Sequence, residues 1–292
     1  MKYLITNNDQ QHRSWPNKYH VMKTLLFNGC SFVAGDDLVW DQFRRQYQIS
    51  DSITSTDLMI GGQWNELYDQ YTQYRRSYNL PRKVSEALGI DTVDLSRGGQ
   101  SNDSIAWRTL EFLNKVLPEN RRDYHVVVGW TALARSMKYW PRADQFVDLV
   151  LTESQIDSEG DHPIAKYRDM DQWCDALIKY QTDQDLNLDF LKNVMLLEQY
   201  CRSHGISYTF FRSMGTIGDL DHINSQGLTD TQRWLKFPNQ KQWLTSIWQQ
   251  QLEISQWISP KNSHPNSFAV AKFTDILAPK IRRDLVLTPG RI

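Results

Sequence analysis

A short apolar run that stops abruptly at Asn28-Gly29 constrains this chain more than any other feature. Residues 25 to 38 read Leu-Leu-Phe-Asn-Gly-Cys-Ser-Phe-Val-Ala-Gly-Asp-Asp-Leu. An apolar run closed by glycine is the pattern of a buried strand in a parallel sheet, where both faces are covered and polar alternation disappears. Gly29 and Gly35 permit a tight strand-to-helix turn with close backbone approach. Such a turn presents Ser31 at the carboxyl end of a strand, the edge where open α/β sheets bind ligands. Two readings of Ser31 follow. It is a nucleophile, or it caps an ordinary helix.

The rest of the chain extends the same alternation. Strands are expected near 24–28, 91–95, 125–130 and 206–211, and helices near 81–88, 102–116, 171–180, 186–204, 240–256 and 266–283. Pro81 suits a first helical turn, Ser101 or Asn102 can cap the helix that follows them, and Gly205 ends the long helix before Ile206. Alternating strands and helices predict an α/β fold built on a doubly wound, central parallel sheet. Three long stretches, 38–80, 131–170 and 212–258, interrupt the pattern, each after the carboxyl end of a strand. Loops at that edge border the site, so these stretches are expected to be cap insertions. The first carries Trp40, Trp64, Tyr68, Tyr71, Tyr74 and Tyr78, and the third Trp234, Trp243 and Trp248. These aromatics either stack on a substrate such as a sugar or glue the insertions to the body.

At 292 residues, a single elaborated domain spanning 1–292 is expected, with a polar arm over 1–22. The formal net charge is −1, which advertises neither nucleic acid nor a membrane surface as partner. The polar N-terminus lacks an apolar signal core and no run is long enough to span a bilayer, so a cytoplasmic protein is expected. Cys30, Cys174 and Cys201 are too scattered for a disulfide framework or a metal site. Cys30 reads as a small buried filler beside Ser31. No phosphate-cradling glycine loop and no zinc-ligand spacing occurs, and no cofactor is expected.

Two further segments join the first. Residues 94 to 105 read Asp-Leu-Ser-Arg-Gly-Gly-Gln-Ser-Asn-Asp-Ser-Ile, and His264-Pro265-Asn266-Ser267 precedes the last helix. Taken in order, the three blocks resemble those of the SGNH (GDSL-like) hydrolases, in the divergent form found in bacteriophage and bacterial genomes. The resemblance covers about an eighth of the chain. It implies a flavodoxin-like three-layer sandwich with cap insertions. It also implies Ser31 as nucleophile, in Gly-Cys-Ser-Phe where many relatives have Gly-Asp-Ser, and His264 as base. The amides of Ser31 and Gly99 would serve the oxyanion, with Thr131 standing where the family usually has an asparagine. Trp130, Arg135 and Asn102 are the expected substrate-binding residues. Among three arginines that could hold an anionic substrate, Arg97, Arg108 and Arg135, the last lies closest after its block.

Two departures from the family pattern matter. After the strand Val126-Val127-Val128 comes Gly129-Trp130-Thr131, so a hydroxyl replaces an amide donor. The carboxylate usual three residues before the histidine is absent: Lys261 occupies that position and Asn262 follows. A Ser31–His264 dyad is therefore expected, its imidazole oriented by a backbone carbonyl, Asn262 or a distant Asp. Asp36-Asp37 either line the site or cap the next helix. An Asp219-to-His222 string lies in a polar stretch with no terminal helix after it. His125 opens a strand, at the opposite edge of the sheet, and His204 ends a helix. His12, His20 and His162 lack a partner motif. The leading functional expectation is a serine esterase removing a small acyl group, such as acetyl, from a carbohydrate or similar small-molecule ester. The alternative is a non-catalytic binding or structural module on the same fold, including a component of a phage particle. Oligomeric state is left open.

Overall fold

The computed structural model describes residues 24–50, 52–53, 65–140, 145–150, 179–180, 182–215, 228–237, 248–257 and 264–286. The polar arm, Lys261, Asn262, the Asp219-to-His222 string, His12, His20, His162 and most of the helix expected at 171–180 lie outside them. The described chain runs β1 (Thr24–Gly29), α1 (Ser31–Ala34), α2 (Trp40–Gln46), α3 (Asn65–Arg76), α4 (Leu80–Leu88), β2 (Asp91–Asp94), α5 (Asn102–Lys115), β3 (Tyr124–Trp130), β4 (Arg135–Trp140), β5 (Gln145–Val150), α6 (Asp183–Ser203), β6 (Ser207–Arg212) and α7 (Ser267–Val286). No described helix is long and apolar enough to cross a membrane.

Four parallel strands form the central sheet in the order β2-β1-β3-β6. The fold is α/β, with helices on both faces. Strand parity divides the core. Leu26, Val126, Val128, Tyr208 and Phe210 point to one side, where Ile105 and Leu113 of α5 and Phe190 and Val194 of α6 cover them. Leu25, Phe27, Val127 and Phe211 point to the other, under Leu80 and Val84 of α4 and Val270, Phe273 and Ile281 of α7. Both faces being dry explains why the strands read as unbroken apolar runs. The chain goes from β1 outward to β2, then returns to β3 on the other side. The carboxyl end of β1 is therefore the switch point of the sheet, where a crevice opens.

Local signals set most element ends. Asn79 accepts from the Arg82 amide at the start of α4, and Ser101 accepts from the Ser104 amide at the start of α5. Thr182 and Asp185 form a reciprocal capping box on α6, an arrangement that satisfies two otherwise orphaned donors. Where a helix was expected over 240–256, the described part carries two 3-10 turns, Gln249–Gln251 and Ile254–Gln256. The amides of Trp248 and Gln249 are drawn instead to the carbonyls of Arg212 and Ser213, which continue β6. Residues 135–140 and 145–150 pair as an antiparallel hairpin, β4 with β5, absent from the sequence-based expectation.

The hairpin is fastened at its base. Asp148 of β5 accepts from the amide of Ser101 at 3.0 Å and from its hydroxyl at 2.5 Å. Asp103 accepts from the Met137 amide of β4 at 3.0 Å. Residues after β3 are thereby held over the amino end of α5.

Two glycines decide how closely α1 approaches the sheet. Gly29 and Gly129 end β1 and β3 and sit opposite each other in register. A Cβ on either would lie 2.5 Å from Cγ2 of Val33 in α1, and on Gly129 also 2.7 Å from the ring of Phe211. These residues are glycine because Val33 occupies the space of both side chains. Gly129→Ala is expected to destabilise the fold by about 1–3 kcal/mol through overpacking. Chemical denaturation should show this as a lower midpoint with an unchanged slope.

His125, the second residue of β3, lies at the edge away from Ser31 and is fully buried. Its Nε2 lies 2.9 Å from the Thr209 hydroxyl, which donates to Asp284 at 2.6 Å; Nδ1 lies 2.8 Å from the Ser207 hydroxyl. Thr209 has one proton and gives it to the carboxylate, so it accepts from Nε2–H. The ring is neutral, with Nδ1 accepting from Ser207. Burial first, then the positive charges of Arg233 and Lys280, hold this imidazole down to about 3. The unfolded chain binds a proton near pH 6.5 that the folded ring refuses. Stability should therefore fall as pH drops below about 6.5, by up to about 1.4 kcal/mol per pH unit from this residue. Denaturation series at pH 4 to 7 should show a shallower acid loss in His125→Gln than in the wild type.

Candidate active site

Three loops leave the carboxyl ends of adjacent strands, and the first is the turn after β1. Ser31 is the first residue of α1, and the helix lasts only four residues before Gly35 turns left-handed at φ 73. The amides of Gly35 and Asp36 both donate to the Ser31 carbonyl, at 2.9 and 3.0 Å. Ser31 is 5 % exposed. The neighbouring Cys30 thiol points inward, 3.1 Å from the hydroxyl of Ser213, which donates to the Trp130 carbonyl. Cys30 thus fills and braces the interior beside the serine.

The second loop, after β2, carries Gly98 and Gly99. Gly99 is exposed with φ 76, a conformation that favours glycine. Behind it the loop is welded to β1. Gln100 donates to the Gly29 carbonyl at 2.7 Å and to Asn28 Oδ1 at 3.1 Å. Asn28, itself fully buried, donates to the Ile105 carbonyl and to Thr109 of α5. Arg97 extends the ladder by donating its amide to the Gly29 carbonyl.

The third loop begins at Thr131. Its amide donates to Asn102 Oδ1 at 2.9 Å, while the Asn102 amide group donates to the carbonyls of Thr131 and Ala132. Asn102 is committed to holding the end of β3 against α5. The Thr131 hydroxyl is buried and has no hydrogen-bond partner among the described residues. It is the one donor of this residue that remains available.

His264 enters from the other end of the chain, just before α7. Its loop is clamped by a bridge between Trp257 and Pro265 and by the Asn266 amide donating to the Gln256 carbonyl. The Asn266 side chain donates to the Ser255 carbonyl and accepts from the Ala269 amide in the first turn of α7. The imidazole lies beside α1: its ring centre is 5.8 Å from that of Phe32, the residue after Ser31.

A carboxylate does stand beside His264, that of Asp37. Its Oδ2 lies 2.9 Å from His264 Nδ1, across 227 residues of sequence, and both side chains are largely buried. Of the three orienting groups expected, a backbone carbonyl, Asn262 or a distant Asp, it is the distant Asp that meets the ring. A carboxylate only accepts, so Nδ1 carries the proton and Nε2 is left as the basic nitrogen. Asp37 has φ 61, a left-handed conformation that Asp tolerates better than most residues. That turn directs its side chain away from the path of Asp36. Tyr71 of α3 donates to the Leu38 carbonyl at 3.1 Å and fixes the next residue. Burial, and next the charge of Asp37, push the Tyr71 phenol up, so it stays a donor.

The remaining expected residues fall elsewhere. Trp130 was expected to meet substrate, but it is fully buried, edge-on to Phe190 at 5.8 Å and to Phe210 at 5.5 Å. Strand parity puts it with Val126 and Val128 in the core, out of reach of a ligand. Arg135 opens β4 and donates to the Gln100 carbonyl at 3.5 Å, so it sits behind the Gly99 turn. Asp36-Asp37 were read as lining the site or capping a helix, but the pairing of Asp37 with His264 and the hairpin fastening were not foreseen. The tandem Asp36-Asp37 immediately after the serine turn was the available signal for the first.

Beside the Asp37–His264 pair a groove of about 670 Å³ opens, with Trp40, Gln42 and Arg45 of α2 on one side and Trp257 and Ser267 on the other. A hydroxyl, an oriented imidazole and donors on flanking loops are the parts of acyl transfer. Among the described residues, no group of three or more His, Cys, Asp or Glu is placed to hold a metal ion. No protein-family model matches this chain, and no curated protein matches it. Asp37→Ala is expected to release the ring from its tautomer. Nitrogen-15 spectra of the neutral imidazole should show Nδ1–H in the wild type and the Nε2–H form preferred by free imidazole in the variant.

Proposed function

We propose that this chain is a serine esterase of SGNH-hydrolase type, in which Ser31, His264 and Asp37 form the catalytic triad. The observation that carries the reading is the Asp37–His264 hydrogen bond beside Phe32. A surface histidine has no need of a carboxylate brought from the turn that also carries the candidate nucleophile. The strand order β2-β1-β3-β6 supports a flavodoxin-like three-layer sandwich, with Ser31 following the switch strand.

In this reading Ser31 Oγ attacks the acyl carbon while His264 Nε2 takes its proton. The imidazolium is stabilised by Asp37, which keeps its own negative charge. The carbonyl oxygen becomes an oxyanion, met by the amides of Ser31 and Gly99 and by the Thr131 hydroxyl. Nε2–H then protonates the departing alcohol as the ester C–O bond breaks. Water repeats the sequence on the acyl-enzyme and frees the acid. The groove walled by Trp40 and Trp257, with Gln42, Arg45 and Ser267, supports a carbohydrate ester as substrate, since tryptophan faces cover sugar C–H surfaces and polar side chains meet hydroxyls. One observation favours a second reading, a binding module that has lost turnover: Ser31 is only 5 % exposed.

Hydrolysis of p-nitrophenyl acetate separates the two. Ser31→Ala should abolish turnover, and Asp37→Asn should lower kcat by roughly 10²–10⁴, both with unchanged thermal midpoints. Wild-type protein that hydrolyses no faster than Ser31→Ala would establish the binding module instead.

A further inference from the structure

The two consecutive aspartates after the serine turn face opposite ways. Asp37 reaches His264. Asp36 reaches the Gly98–Gly99 turn and a buried arginine, Arg75, in the last turn of α3. One carboxylate oxygen of Asp36 forms the ion pair with Arg75 Nη1. The other lies against Gly98 so closely that a Cβ there would be 1.9 Å away. Arg75 is 4 % exposed and sits over the Tyr71 ring at 5.7 Å. Burial lowers its pKa to about 10, against the pull of Asp94, so it remains a cation at neutral pH. Asp94, at the end of β2, is itself engaged by the Asn79 side chain and the Ser96 amide, on the strand that leads into the glycine turn.

A buried ion pair is a poor device for stability, because desolvating both charges cancels much of their attraction. A hydrophobic pair would fill the same space at no loss. What an ion pair adds is a fixed direction, and here the direction is toward the backbone of Gly98. The Gly99 turn has no side chain of its own to pack. Catalytic donors must be held within fractions of an ångström, and a misplacement of about 1 Å costs on the order of 10²-fold in rate.

We propose that the buried Asp36–Arg75 pair is a positioning device that holds the Gly98–Gly99 turn against the serine turn, making α3 of the 38–80 insertion part of the catalytic machinery. The role rests on the esterase reading. Substrate in the neighbouring groove touches α2, which packs on α3 through Phe43 and Tyr71 at 5.1 Å, so the insertion that shapes the groove also sets the donor turn.

Two measurements on the full chain test it. The first is native-state hydrogen exchange. In Asp36→Asn, the Arg97 amide, which donates to the Gly29 carbonyl and leads into the turn, should exchange at least about tenfold faster while β3 amides keep their protection. Unchanged exchange at that amide overturns the proposal whatever the protein catalyses. The second is steady-state hydrolysis of p-nitrophenyl acetate. Asp36→Asn and Arg75→Gln should each lower kcat by roughly 10- to 100-fold with KM within about twofold. The double variant should be no worse than either single one, since both act through one contact. Arg75→Lys, which keeps the charge, should recover part of the loss. A lower thermal midpoint with an unaltered kcat, while Ser31→Ala is inactive, overturns the positioning role alone. Hydrolysis by Ser31→Ala at the wild-type rate overturns the esterase reading and this role with it.

Discussion

The seating of Val33 across Gly29 and Gly129 is the contact on which the rest of this structure depends. It joins the ends of β1 and β3, the two strands at the switch point, to the helix that begins with Ser31. With both glycines bare, α1 can lie directly on the strand ends, and the chain turns over them within one residue. Any side chain there would lift the helix and carry Ser31 away from the loops on either side. The buried hydrogen bonds from Gln100 to Asn28 and to the Gly29 carbonyl then tie the second loop to the same strand end. Interior side chains at native density leave no room for such a change to be absorbed without cost.

From this platform, charge does the long-range work. Asp36 and Asp37 follow one turn after Ser31 and divide between two partners far apart in sequence. Asp37 takes the histidine arriving with α7, and Asp36 takes Arg75 from α3. A backbone twist at Asp37, with φ 61, lets neighbours diverge in this way. The site is thus assembled from four parts of the chain around one short turn. Apolar contacts could not supply this arrangement, because they fix proximity but not direction.

A second polar system stands at the opposite edge of the sheet. His125, Ser207, Thr209, Asp284 and Lys280 link β3, β6 and α7 through buried hydrogen bonds. It holds α7 to the sheet at the end far from His264. The helix is therefore anchored at one end while its other end presents the imidazole. Buried hydrogen-bond networks of this kind fix a particular arrangement rather than adding much net stability.

The sequence alone determined the strands, most helix ends and the place of the serine turn. Buried parallel strands declare themselves as apolar runs, and caps such as Ser101 and Gly205 act on neighbours within a few residues. It also held, in the shared parity of Val126, Val128 and Trp130, the information that Trp130 belongs to the core. The hairpin of β4 and β5 was not legible, because its strands carry charged and polar residues and gain their order from Asp103 and Asp148 contacts made in the fold. The helix expected at 240–256 did not form in its described part, because carbonyls beyond β6 claim the amides first. The partner of His264 was decided only by the tertiary structure. A hydrogen bond spanning 227 residues leaves no local pattern, since what makes it is the convergence of β1 and α7 at one sheet edge, and that convergence is a property of the packed layers.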